Sequence, residues 1–233
     1  MLILGIETAT DQVGVALGHH AGVLGAFEIS RPRQHAELLA PMIEQLCRQC
    51  DVAVAELGVI AVDVGPGLFT GMRVGLATAK AMAQALRIPV IGLSSLDLLA
   101  YPLRHAHGEI ASVIDARRGE LYFAFYRPVP GGVQRCSEPM VGTYDDLLAE
   151  VIAAPTPPLL VGDGARVHAA RLREAGRCDL ADEAMQYPSA SALVQLAHAK
   201  ALREDWVNPW ELAPLYLRAP DAQINWTTRS AGS

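Results

Sequence analysis

The sequence predicts an α/β protein in two lobes, on three observations. β-rich runs come as two separate meanders, one at the N-terminus and one beginning at Glu109. Each meander is followed by helical patterns alternating with short apolar strands. With 233 residues, 51% of them apolar, the chain can build one large or two small cores.

The elements follow in order. Residues 2–7 and 12–18 are β-rich runs separated by Thr8-Ala9-Thr10-Asp11, and 21–29 is a third, which together read as an antiparallel meander. From Gln34 to Cys50 apolar residues stand at 38, 39, 42, 43, 46, 47 and 50, a helical spacing with Pro41 its one offence. A strand over 58–64 ends in Gly65-Pro66-Gly67-Leu68-Phe69-Thr70-Gly71 and feeds a second helix reaching about Arg87. A strand over 88–92 and a helix near 95–103 complete the first series. The second series has strands to about Asp115 and over 120–127, a turn at Arg117-Arg118-Gly119, and another strand past Gly132. It continues with a helix over 143–153, a strand over 159–162, and helices near 164–175 and 189–204.

Composition excludes some functions. The formal net charge of -6 argues against binding a phosphate backbone with the whole surface. No run approaches the length of a membrane-spanning helix, and the apolar opening is short, lacks a basic leader and meets Glu7 at once. Four scattered cysteines make no disulfide framework, so a reducing cytoplasm is the expected location. Cys47-Arg48-Gln49-Cys50 has redox spacing, but the C-terminal end of a helix disfavours a thiolate, and the pair reads as packing.

The glycine turn has two readings. A strand turning on glycines into a helix exposes backbone N–H groups that can bind an anion. Yet Gly65-x-Gly67-x-x-x-Gly71 misses the dinucleotide spacing, and no Lys-Ser or Lys-Thr closes it as a phosphate loop. Gly71, Gly75, Ala79 and Ala83 recur every four residues instead, a small-residue ridge that another helix could approach closely. Glu7 and Asp163, the latter followed by Gly164, each put a carboxylate at a strand end, where a pair could hold hydrated Mg²⁺ on nucleotide phosphates or be ordinary turn residues. Ser95 is expected to cap the helix that follows it.

The stretch Gly65 to Gly75, with Ile6-Glu7-Thr8-Ala9-Thr10, His35-Ala36-Glu37, Asp115 to Tyr122, Gly162-Asp163-Gly164 and Pro214-Leu215-Tyr216-Leu217-Arg218, resembles the TsaB (YeaZ) family. The resemblance implies an actin-like (ASKHA, ribonuclease H-like) two-lobed fold with mixed sheets. Its N-terminal lobe would span 1–105, its C-terminal lobe 106–204, with 205–218 returning to the first and 219–233 a loose tail. It implies a part in making threonylcarbamoyladenosine beside the anticodon of tRNAs that read codons beginning with A. The chain would be a non-catalytic subunit that activates a TsaD-type transferase, because the transferase's His-x-x-x-His metal pair is absent: His35 is followed by Leu39. A TsaE-type ATPase would join the complex, the chain alone would form a homodimer, and tRNA would be met through the complex. No cofactor is required by this chain, while ATP or ADP and Mg²⁺ are expected at the level of the complex. The implied interface lies on the first two long helices, at His35, Leu38, Leu39, Met42, Leu46, Phe69, Gly71, Met72, Gly75, Ala79 and Ala83. Arg31, Arg33, Arg117 and Arg118 are candidates for direct tRNA contact. The family usually has Asp at Glu7 and Ser at Leu68. The rival readings are an independent actin-like ATPase or phosphotransferase using Glu7 and Asp163 on magnesium, and a glycoprotease-like peptidase, for which no nucleophile or metal pair is evident.

Overall fold

The computed structural model describes residues 1–218. The expected tail, 219–233, lies outside them. In chain order the elements are β1 (Leu2–Glu7), β2 (Gln12–His19), β3 (Gly22–Ser30), α1 (His35–Gln49), β4 (Leu57–Gly65), α2 (Phe69–Leu86), β5 (Val90–Ser94) and α3 (Ser95–Ala100). The second series is β6 (Ile110–Arg117), β7 (Glu120–Val129), β8 (Gly132–Arg135), β9 (Met140–Thr143), α4 (Tyr144–Ala153), β10 (Leu159–Val161), α5 (Asp163–Val167), α6 (Ala169–Ala175), β11 (Asp179–Leu180) and α7 (Ala190–Ala201).

Two mixed sheets result. The first has the order β3-β2-β1-β4-β5, with β1, β2 and β3 antiparallel and β1, β4 and β5 parallel. The second has the order β11-β10-β6-β7-β8, with β9 added on β7. The period of two along β1 sends Leu4 and Ile6 toward α1 and α2, where Leu39, Ile43, Leu46 and Leu76 complete one core. Ile3 points the other way and joins Val59, Ala61, Leu193, Val194 and Ala197. In the second sheet, Val113 and Phe123 pack on Leu147 and Leu172, while Ile114 and Tyr126 meet Leu96 and Leu99 of α3. Helix α3 therefore joins the two halves, and the Ser112 hydroxyl donates to the Leu96 carbonyl at 2.8 Å within that contact.

Four features differ from the sequence expectation. Helix α7 follows the second sheet in the chain but covers the first, because its Ala and Leu face finds the apolar side of β1, β2 and β4 uncovered. The helix expected over 164–175 breaks at His168 into α5 and α6. β9 and β11 are short additions without a pattern long enough to read. The cap of α3 is Ser94, whose hydroxyl accepts from the Leu96 amide, rather than Ser95.

Helix α4 starts on a reciprocal cap: Thr143 Oγ1 accepts from the Asp146 amide at 3.3 Å and Asp146 Oδ2 accepts from the Thr143 amide at 2.7 Å. These bonds to Thr143 hold the Asp146 carboxyl below its ordinary range. Thr143→Ala is expected to cost about 1 kcal/mol in urea unfolding.

Candidate functional site

The C-terminal ends of β1 and β4 converge on the turn formed by residues 8–11. Glu7 closes β1 fully buried, its Oε1 accepting the Ala9 amide at 2.7 Å while Oε2 has no partner. Burial pushes this carboxyl well above the ordinary carboxylate range, and Asp63 beside it adds to the rise. Every residue of the turn is tied to another element. Thr8 Oγ1 donates to the Gly71 carbonyl at 2.9 Å, and the Ala9 carbonyl accepts from the Leu68 amide at 2.7 Å. The Thr10 carbonyl lies 2.7 Å from His35 Nε2, which therefore donates, and Asp11 accepts from Arg117 Nη2 at 2.6 Å.

The glycine turn exists for this close approach. A Cβ on Gly67 would stand 2.1 Å from the Ala9 carbonyl oxygen, one on Gly71 2.2 Å from the Thr8 carbonyl oxygen, and one on Gly75 2.3 Å from Thr8 Oγ1. The small-residue ridge is consumed inside the lobe, and Ala79 and Ala83 are fully buried with it. His35, Leu39, Met42, Leu46 and Met72 are buried as well, so of the helix residues expected at an interface only Leu38, half-buried, and Phe69, exposed, stand at the surface. Helical spacing identified an apolar face correctly but could not say that the sheet of the same chain covers it.

Asp63 is the residue that sequence reasoning missed. It lies one step beyond the Ile6–Val62 pair of the parallel β1/β4 ladder and so sits beside Glu7 on the same face. Its Oδ1 accepts from the Gly65 amide and the Ser95 hydroxyl, each at 2.7 Å, and Oδ2 has no partner. Burial pushes its carboxyl up to about 7 against the pull of those two bonds. The available signal was an acid inside the otherwise apolar run Val59 to Val64.

In the second half, Asp163 opens α5 and accepts the Asp115 amide at 3.0 Å. Burial raises its carboxyl to about 6, with the Asp115 carboxylate adding to the rise and Arg117 opposing it. A Cβ on Gly164 would lie 2.9 Å from the Ile114 carbonyl carbon, so this glycine serves close packing of α5 on β6. Arg117 spans the halves, holding Asp115 at 3.0 Å and Asp11 at 2.6 Å. Of the two carboxylates expected to hold magnesium, Glu7 is completely buried beside its own turn, and no group of three or more acid, His or Cys side chains among the described residues is placed to hold a metal.

What the turn does present is the outer start of α2. The Arg73 guanidinium lies 3.9 Å over the Phe69 ring, whose centroid is 5.6 Å from that of Tyr216, and Arg73 Nε is 3.5 Å from the Tyr216 hydroxyl. Phe69 and Tyr216 are 40% and 41% exposed, enough to offer a partner an aromatic surface. Beside them a cavity of about 770 Å³ opens between the N-termini of α1 and α2, lined by Arg33, His35, Thr70, Val74 and Arg117 among others. Arg31 and Arg118 are exposed outside this lining.

Two mixed sheets joined through a helix, with a strand-end carboxylate in each half, define an actin-like fold. The activator of 2-hydroxyisocaproyl-CoA dehydratase from Clostridium difficile, solved with bound ADPNP, shares that fold at a TM-score of 0.52 and 10% identity, over 93% of this chain and all of that one. The profile described as "TsaD: tRNA N6-adenosine threonylcarbamoyltransferase" matches residues 23–226. The tRNA threonylcarbamoyladenosine biosynthesis protein TsaB of Bacillus subtilis is 30% identical over 97% of this chain and 98% of its own length. YeaZ from Pseudomonas aeruginosa superposes with a TM-score of 0.79 at 27% identity, over 93% of this chain and 99% of that one. The chain belongs to the TsaB (YeaZ) family.

Proposed function

We propose that this protein takes part in tRNA threonylcarbamoyladenosine biosynthesis as a non-catalytic subunit that binds and activates a TsaD-type transferase. The observation that carries the reading is the use made of the strand ends. Glu7, the acid that an actin-like enzyme would turn toward a nucleotide, is buried beneath a turn whose atoms bind α1, α2 and Arg117 instead. The machinery of a cleft has become a brace for two helix starts. The docking surface is then the exposed cluster of Phe69, Arg73 and Tyr216 with neighbouring Val74, not the buried ridge. Aromatic and arginine side chains are the types that dominate binding energy at such surfaces. The chain needs no cofactor of its own in this reading. ATP or ADP and Mg²⁺ act in the assembled complex, a TsaE-type ATPase joins it, tRNA is met there, and the chain self-associates through the same surface when alone, all in the cytoplasm.

The test is reconstitution of the modification from the transferase, the ATPase, tRNA and this chain. Omission of this chain is expected to abolish product. Phe69→Ala combined with Arg73→Glu is expected to weaken the complex at least tenfold while leaving the unfolding midpoint nearly unchanged, since both side chains stand at the surface. An unchanged elution volume of the mixed complex on a sizing column would overturn this placement.

A further inference from the structure

Glu7 and Asp63 form a pair that the proposed partner role does not use. They are neighbours on adjacent parallel strands, both are completely buried, and neither makes an ion pair among the described residues. Each has one oxygen satisfied by the turn that follows it and one oxygen without a partner. The charged groups acting on them from packed elements are also acidic: Glu28 on β3 acts on Glu7, and Asp97 on α3 acts on Asp63. Glu28 is held by the Ser189 hydroxyl, and Asp97 by Arg135 and Tyr126. Two adjacent carboxylates in such a place cannot both be ionised, because each uncompensated buried charge costs several kcal/mol. At least one of the two is therefore protonated, or a cation balances the pair. Both carboxyls are completely buried and no third acidic, His or Cys side chain among the described residues joins them as a metal-ligand group, so a proton is the simplest balance.

We propose that Glu7 and Asp63 share one proton at neutral pH and thereby clamp the turn after β1 to the turn after β4, so that loss of this proton loosens both. The coupling is built into the bonds. Glu7 Oε1 fixes the Ala9 amide, Ala9 holds Leu68, and Thr8 and Thr10 hold Gly71 and His35. Asp63 Oδ1 fixes the Gly65 amide and Ser95. A second negative charge beneath these turns would disturb the starts of α1, α2 and α3 together, giving the helix surface a proton-linked rigidity that persists with or without any partner.

The experiment is a carboxyl-carbon NMR titration of the full wild-type chain, followed by amide hydrogen-exchange protection at Ala9, Gly65 and Leu68 across the same pH range. One of the two carboxyls is expected to remain protonated at neutral pH, and protection at the three amides to fall at least tenfold as that proton leaves. Glu7→Gln and Asp63→Asn, each able to donate a permanent N–H to the remaining carboxylate, are expected to abolish the pH dependence of protection. Two fully ionised carboxyls at neutral pH would overturn the proposal, as would protection that does not follow the titration. So would full restoration of protection by added Mg²⁺ at alkaline pH, which would make the site one for a cation. Should either variant fail to fold, the wild-type titration decides alone.

Discussion

Gly71→Val is expected to unfold the protein, or leave it at least 4 kcal/mol less stable, as read by urea denaturation of the isolated chain. The reason is a contact with no soft side. A Cβ at position 71 would lie 2.2 Å from the Thr8 carbonyl oxygen, a backbone atom whose neighbours are pinned to Leu68, His35 and Arg117. The clash cannot be relieved by rotating a side chain, so either the 8–11 turn or α2 must move, and both are core elements. Gly75→Leu is expected to fail similarly, since its Cβ meets Thr8 Oγ1 at 2.3 Å and that hydroxyl is already committed to the Gly71 carbonyl. Ala77, on the exposed face of the same helix, is the control: Ala77→Ser should change stability by no more than about 0.5 kcal/mol. A Gly75→Leu variant that stayed fully folded yet lost its partner would restore the ridge as an intermolecular surface.

The ridge shows what the sequence could and could not carry. Strands β1 to β3, helices α1 and α2 and the glycine turn were legible because each depends on local signals: alternation, helical period and residues that break both. The need for close approach at Gly71 and Gly75 was legible too, as glycine is costly inside a helix. The approaching group was not, because it is Thr8 in the turn after β1, 63 positions away from Gly71. The same limit applies to α7, whose helical pattern was plain while its place on the first sheet depended on an uncovered apolar face. Asp63 was hidden differently. A single acid in an apolar strand looks like a solvent-facing residue until the neighbouring strand is known, and only the β1/β4 register puts it against Glu7. Asp163 was found as a strand-end carboxylate, yet its partners, the Asp115 amide and Arg117, come from a hairpin that periodicity detects without orienting.

That buried pair sets the second large effect, a loss of stability as pH rises from about 5 to about 8.5. Asp63 has an ordinary unfolded carboxyl at 3.8 and a folded one at about 7. The folded state therefore holds a proton that the unfolded chain has released throughout this window, and by linkage stability falls with increasing pH. The contribution is complete below 3.8 and is lost as pH climbs through about 7. Over the stated range it amounts to roughly 2–3 kcal/mol at 1.36 kcal/mol per unit. Glu7, raised by burial and by Asp63, and Asp163, raised to about 6 mainly by burial, act in the same direction. Asp63→Asn keeps an acceptor for Gly65 and Ser95 while removing the charge. Its stability should therefore fall less steeply across the window, and at the alkaline end it should exceed that of the wild type. Denaturant midpoints measured at both ends of the range for the two proteins check this: equal slopes against pH would mean that Asp63 is already ionised in the folded state and contributes nothing to the pH dependence.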